Sequence, residues 1–168
     1  MISPTHVQTM ALYNRWQNRS IYGAADKLTD EQRREHRGAF FDSIQGTLNH
    51  ILWGDRLWMS RLAGWEPPAV RSGRDSPQYF SEWNELKQQR QATDQALIIW
   101  ASALTPAALE GDFSYFSPAA GREITKPRWL FVTHLFNHQT HHRGQVHCLL
   151  TQLGVTPEDT DLPFRPEV

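Results

Sequence analysis

The sequence predicts an all-α fold, a four-helix bundle, with a short β-hairpin ahead of the last helix. Three observations lead there. Apolar residues recur at helical spacing in four long stretches. Prolines, tolerated in the first turn of a helix and disruptive in its interior, leave three long proline-free segments, 5–66, 78–105 and 128–156. The charged stretch Asp30 to Gly38 divides the first of these into two helices. At 168 residues the chain suits a single domain, residues 1–168, with one substantial core. With 39% hydrophobic residues and seven tryptophans, that core is expected to be strongly aromatic.

The first helix should begin with Ser3 as N-cap and Pro4 at its first position, and run to about Leu28. Val7, Met10, Ala11, Ile21, Ala24, Ala25 and Leu28 carry its periodicity. The second should start at Asp42 or Ser43 and end at Gly64, which suits a left-handed cap. Its core stripe is Ile44, Leu48, Ile51, Trp58 and Leu62, with His50 on the shoulder between apolar neighbours and therefore at least partly buried. Residues 65–77 read as an irregular loop.

The third helix is expected from Ser76 or Pro77 to Leu104, stopping before Thr105-Pro106. Aromatic residues and turn formers between Leu109 and Lys126 suggest the hairpin. The fourth helix should run from near Pro127 to a cap at Gly154, with the tail from Val155 to Val168 extended over the surface.

Composition excludes several functions. The net charge of −1, from 17 basic and 18 acidic side chains without a long run of one sign, leaves no footprint for nucleic acid or an anionic membrane surface. No apolar stretch approaches the roughly 18 residues of a spanning helix, and the N-terminus lacks a secretory pattern, so a cytoplasmic protein is expected. The single cysteine, Cys148, cannot form an internal disulfide and reads as a small buried apolar residue.

The chemistry concentrates in the fourth helix. Five of the eight histidines lie between Thr133 and His147. At about 100° per residue, His134, His138, His141 and His142 share one arc, while His147 points away. Buried imidazoles without partners are costly, and a shared divalent metal would satisfy them. The pairs 134/138, 138/142 and 138/141 all have suitable spacing, which alone does not choose among them. A catalytic site needs a third ligand from another helix, and His50 is the natural candidate, whereas His6 and His36 read as surface residues. Asn137, Arg143 and Gln145 are placed either to hydrogen-bond ligands or substrate or to lie on the helix surface. Gly144, costly inside a helix, suggests close packing by a neighbour.

Three strings, Tyr13 to Asn18, Leu48 to Trp53 and Asn137 to Gln145, resemble the DinB family, part of a wider group of DinB/YfiT-like metalloenzymes, in the same order and across nearly the whole chain. The resemblance implies a four-helix bundle holding a divalent metal ion on His50, His138 and His142, with His134 and His141 beside the ligands. It also implies a homodimer, for which the tryptophan-rich helices offer surface. Three imidazoles suit Zn, Ni, Fe, Co or Mn. No glutamate stands between His138 and His142, so the metalloprotease pattern H-E-x-x-H is not present. The expected activity is a metal-dependent hydrolase, or a transferase using a low-molecular-weight thiol, on a small-molecule substrate. The competing expectation is a non-catalytic metal- or ligand-binding stress-response protein with a structural metal.

Overall fold

The computed structural model describes residues 1–118 and 120–166. Its order is α1 (Pro4–Ala25), α2 (Asp30–Arg34), α3 (Ile44–Ala63), α4 (Trp83–Ser102), β1 (Asp112–Ser117), β2 (Arg122–Pro127) and α5 (Arg128–Gln152). The four long helices form the bundle. α1 packs against α4 and α5, and α3 packs against the same two, so α1 and α3 lie on a diagonal. This arrangement sets α3 directly alongside α5, the two helices that carry the histidines. No helix among the described residues is long and apolar enough to cross a membrane.

Local chemistry explains the boundaries. Ser3 caps α1, its hydroxyl accepting the His6 backbone N–H, with Pro4 in the first turn. α1 stops at Ala25, three residues before the expected end, because Thr29 adopts an extended conformation to cap α2 in a reciprocal box with Gln32. Ser43 caps α3, and Gly64 closes it with φ +69°, as its sequence position predicts.

α4 begins at Trp83, later than the predicted Ser76 or Pro77. Residues Ser76–Gln78 form one 3-10 turn instead. The cause lies on α3. Asn49 donates from Nδ2 to the carbonyls of Pro77 and Phe80 and accepts the Phe80 N–H, each at 3.0 Å, which holds this stretch out of helical geometry. The hairpin is present, with Asp112 paired to Pro127 and Ser117 to Arg122. The tail, as far as it is described, crosses the surface of α1: Tyr13 Oη donates to the Thr160 carbonyl at 2.7 Å and Gln17 Nε2 to that of Asp159 at 2.8 Å. Glu167 and Val168 lie outside the described residues.

The core has two apolar halves. One gathers Ile21, Leu48, Leu52, Leu86 and Leu150; the other gathers Val7, Met59, Leu97, Leu135 and Phe136. Buried polar residues from all four long helices also lie inside the bundle, and the sequence reading missed the network they form. Asp55 of α3 accepts from Gln139 Nε2 of α5 and from Arg90 of α4, both at 2.5 Å. Arg90 also pairs with Asp94 at 2.9 Å, and Asp94 accepts from Asn18 of α1 at 2.9 Å. Burial pushes both carboxyls up, Asp94 to about 6, against the pull of Arg90.

Two expectations for α5 fail for one reason. Cys148 is exposed, and a Cβ placed on Gly144 would meet nothing within 4 Å. Both project roughly opposite Leu135, which faces the core, at about 100° per residue. Arg143, which sequence left between a ligand contact and the surface, is buried and donates to Asn14 Oδ1 of α1.

Candidate metal centre

α3 and α5 bring His50, His138 and His142 together. One ring nitrogen from each lies within 4.8 Å of the others. His50 and His142 are only 6% and 7% exposed, and His138 is half-buried. The i, i+4 spacing places His138 and His142 on one face of α5, their rings edge to face with centroids 4.5 Å apart. The His50 ring centroid lies 5.0 Å from that of His138 and 4.7 Å from that of His142. Among the described residues no fourth histidine, cysteine or carboxylate joins the cluster.

Hydrogen bonds set which nitrogen each ring offers. Ser76 Oγ donates to the Gly73 carbonyl at 2.6 Å, so toward His50 Nδ1, 2.8 Å away, the hydroxyl can only accept. The proton of His50 therefore resides on Nδ1 and the lone pair on Nε2, which faces His138 Nε2 at 3.0 Å. His142 Nδ1 lies 2.8 Å from Gln145 Oε1, an acceptor, which likewise leaves Nε2 of His142 free. His138 Nδ1 is buried without a partner.

Burial favours neutral rings, and the neighbouring imidazoles add to it. His50 is pushed down to about 2, His138 to about 3, and His142 also falls below its ordinary value. Across the 3.0 Å contact His138 Nε2 is the donor to His50 Nε2, a proton that a cation would displace, and converging neutral imidazoles suit a divalent ion, so the donor set fits one.

The surroundings hold the rings in place. Phe41 stacks on His50 with centroids 3.6 Å apart and meets His142 edge-on at 5.3 Å. Trp53 lies on another side of His50, anchored by its Nε1–H to the Val70 carbonyl at 2.8 Å. Gly54 makes room for His138: a Cβ there would stand 2.9 Å from Cε1 and 3.3 Å from Nδ1 of that ring.

Gly54→Ala is accordingly expected to weaken zinc binding about tenfold or more, because the ring must move. Helix propensity meanwhile favours alanine by about 1 kcal/mol. Competition against a chromophoric chelator together with urea unfolding measures the two effects, and unchanged zinc affinity in the variant would contradict this placement of His138.

The other residues singled out from the sequence have distinct places. His134 and Asn137 are exposed and line a cleft with Trp58, Tyr115 and Phe131. His141 is exposed, with its Nε2 3.3 Å from Gln145 Nε2, and its ring meets that of His142 edge-on with centroids 4.8 Å apart. His6 and His36 are on the surface, as expected. Ser76 and Gly54 were not identified from the sequence. Ser76 lies 26 positions from His50, with no local pattern joining them. Gly54, by contrast, is a glycine inside an apolar helix one turn from His50, a readable sign of close approach.

A four-helix bundle in which facing helices converge three neutral imidazoles defines a class of bundle with a potential metal centre between its helices. This chain belongs to the DinB family, whose family model matches residues 1–168. Protein DinB of Bacillus subtilis (strain 168) is 24% identical over 153 residues, covering 89% of this chain and 87% of that relative. Among solved structures, YfiT from Bacillus subtilis superposes with a TM-score of 0.65 at 16% identity, covering 93% of this chain and 92% of that one. YfiT is described as a probable metal-dependent hydrolase with an unusual four-helix bundle topology. At that identity the likeness establishes the shared fold.

Proposed function

We propose that this protein is a divalent-metal-dependent hydrolase acting on a small molecule, with His50, His138 and His142 as the metal ligands. The observation that carries the reading is the convergence of three imidazoles that, among the described residues, no fourth histidine, cysteine or carboxylate joins. Such a set leaves coordination positions for water or substrate, whereas a structural site is normally closed by four protein ligands. The description of YfiT supports the same reading.

A divalent cation on three imidazoles keeps its positive charge, so it acidifies a water or thiol and polarises a carbonyl. The protein's own groups prepare that chemistry. Ser76 and Gln145 fix the orientation of His50 and His142. Phe41 covers one face of His50 and keeps water from it. A pocket of about 460 Å³, lined by Phe40, Phe41, Asp42, His50, Gly73, Arg74 and Pro77, opens beside the centre and is large enough for a small substrate.

Hydrolysis of p-nitrophenyl esters by protein stripped with chelator and reloaded with zinc, nickel, iron, cobalt or manganese tests the proposal. Turnover should vanish on stripping and return with at least one metal. Parallel reactions with glutathione and an electrophilic acceptor detect the thiol-transferase alternative. Esterase turnover that persists in the stripped protein would refute the proposal, as would unfolding on metal removal without turnover in any loaded form.

A further inference from the structure

We propose that the pocket beside His50 is a subsite for a small molecule with a flat apolar body and a terminal carboxylate, and that Arg74 receives the carboxylate. Its reacting end rests on the metal-dependent reading above; its carboxylate end rests on Arg74 alone.

Phe40 is 82% exposed at the mouth of this pocket, edge-on to Phe41 at 4.9 Å. Leaving a phenylalanine in water forgoes roughly 1.5–3 kcal/mol of burial. The turn that presents it is held in an uncommon conformation: Asp42 has φ +65°, and its N–H donates to the Ala39 carbonyl at 2.9 Å. A non-glycine residue there costs on the order of 1 kcal/mol or more, which marks a constrained segment beside the centre. With Phe41 on the His50 ring and Pro77 across the pocket, the lining offers flat apolar surface that a planar group can cover.

Charge supplies the other half. Arg74 lines the same pocket and is exposed, and among the described residues its one hydrogen bond is made by its backbone N–H, not by its guanidinium. The pocket's acid, Asp42, is exposed and points its Oδ1 to within 3.3 Å of His36 Nε2. The backbone at Arg74 is anchored relative to the centre. Its N–H donates to Ser72 Oγ at 3.1 Å, and Ser76, two residues on, joins His50 Nδ1 to the Gly73 carbonyl. The guanidinium, exposed at the end of a side chain that rises from this anchored backbone, is free to receive a carboxylate, and its planar fork suits two-point binding. A molecule filling about 460 Å³ therefore spans from the guanidinium, across the phenylalanines, to the metal ligand His50.

The test compares phenylacetate with phenylacetamide by calorimetric titration of the zinc-loaded protein, with bound zinc assayed in every sample. The wild type should favour the carboxylate by about tenfold or more. Arg74→Ala should lose most of that preference with zinc content unchanged, and Phe40→Ala should weaken both probes alike. Equal affinity of the wild type for the two probes would overturn the proposal. So would an undiminished preference in Arg74→Ala, which would place the carboxylate on the metal. His138→Ala separates the two readings: zinc lost with the carboxylate preference retained supports the subsite independently, and zinc retained refutes the metal assignment while the Arg74 comparison still decides the subsite.

Discussion

Asp55→Ala is expected to destabilise the protein by about 3–5 kcal/mol, the usual consequence of removing one partner from a buried ion pair. Asp55 is 0% exposed and accepts from Arg90 and Gln139 at 2.5 Å each. Its loss leaves Arg90, itself buried, paired among the described residues with Asp94 alone, and strips the amide of Gln139 of its acceptor. Repairing Arg90 at the same time isolates the cause. Asp55→Leu combined with Arg90→Met removes both charges and should recover much of the loss, since two apolar groups in such a place are often tolerated. Urea unfolding measures both variants; a loss below about 1 kcal/mol for Asp55→Ala would show that the network does not bear on stability as argued. The consequence reaches the candidate centre, because Gln139 stands between His138 and His142 in the chain and ties α5 to α3 just where the imidazoles meet.

The second large effect concerns the histidines. Replacing His50, His138 or His142 with alanine should each abolish stoichiometric metal binding, because two imidazoles rarely hold a divalent ion that three hold well. The substitutions differ in their side effects. His50→Ala also removes the ring under Phe41 and the partner of Ser76, so some stability should go with the metal. His138 is half-buried, and its Nδ1 has no hydrogen-bond partner, so His138→Ala should leave the fold nearest to wild type. Circular dichroism beside the metal assay separates loss of the site from loss of the structure.

Much of this fold could be read from local chemistry. Ser3, Ser43 and Gly64 act where caps of their type act, and the apolar stripe of α3 is buried from Ile44 to Trp58. His50 was legible as a buried ring because its neighbours on α3 are apolar. Choosing His138 and His142 from several suitably spaced pairs required the family resemblance.

What escaped the sequence reading depended on contacts between distant segments. The late start of α4 follows from Asn49, about 30 residues upstream, taking the backbone groups that a helix would have used. The polar network was visible in principle: Asp55 falls within about 20° of Ile44 at 100° per residue, inside the apolar stripe, and Arg90 continues the stripe of Leu86 in the same way. A charge at the centre of a core stripe signals a buried pair, but only the folded chain shows that Asp55, Arg90, Asp94 and Gln139 meet. Cys148 and Gly144 were misplaced because their residue types, and not their angular positions on α5, were read.

The measurement that bears most directly on the proposed metal centre is elemental analysis of the purified protein beside His50→Ala, His138→Ala and His142→Ala, all loaded and desalted identically. The account predicts about one equivalent of divalent metal in the wild type and almost none in any of the three variants. Metal content unchanged in all three would contradict it.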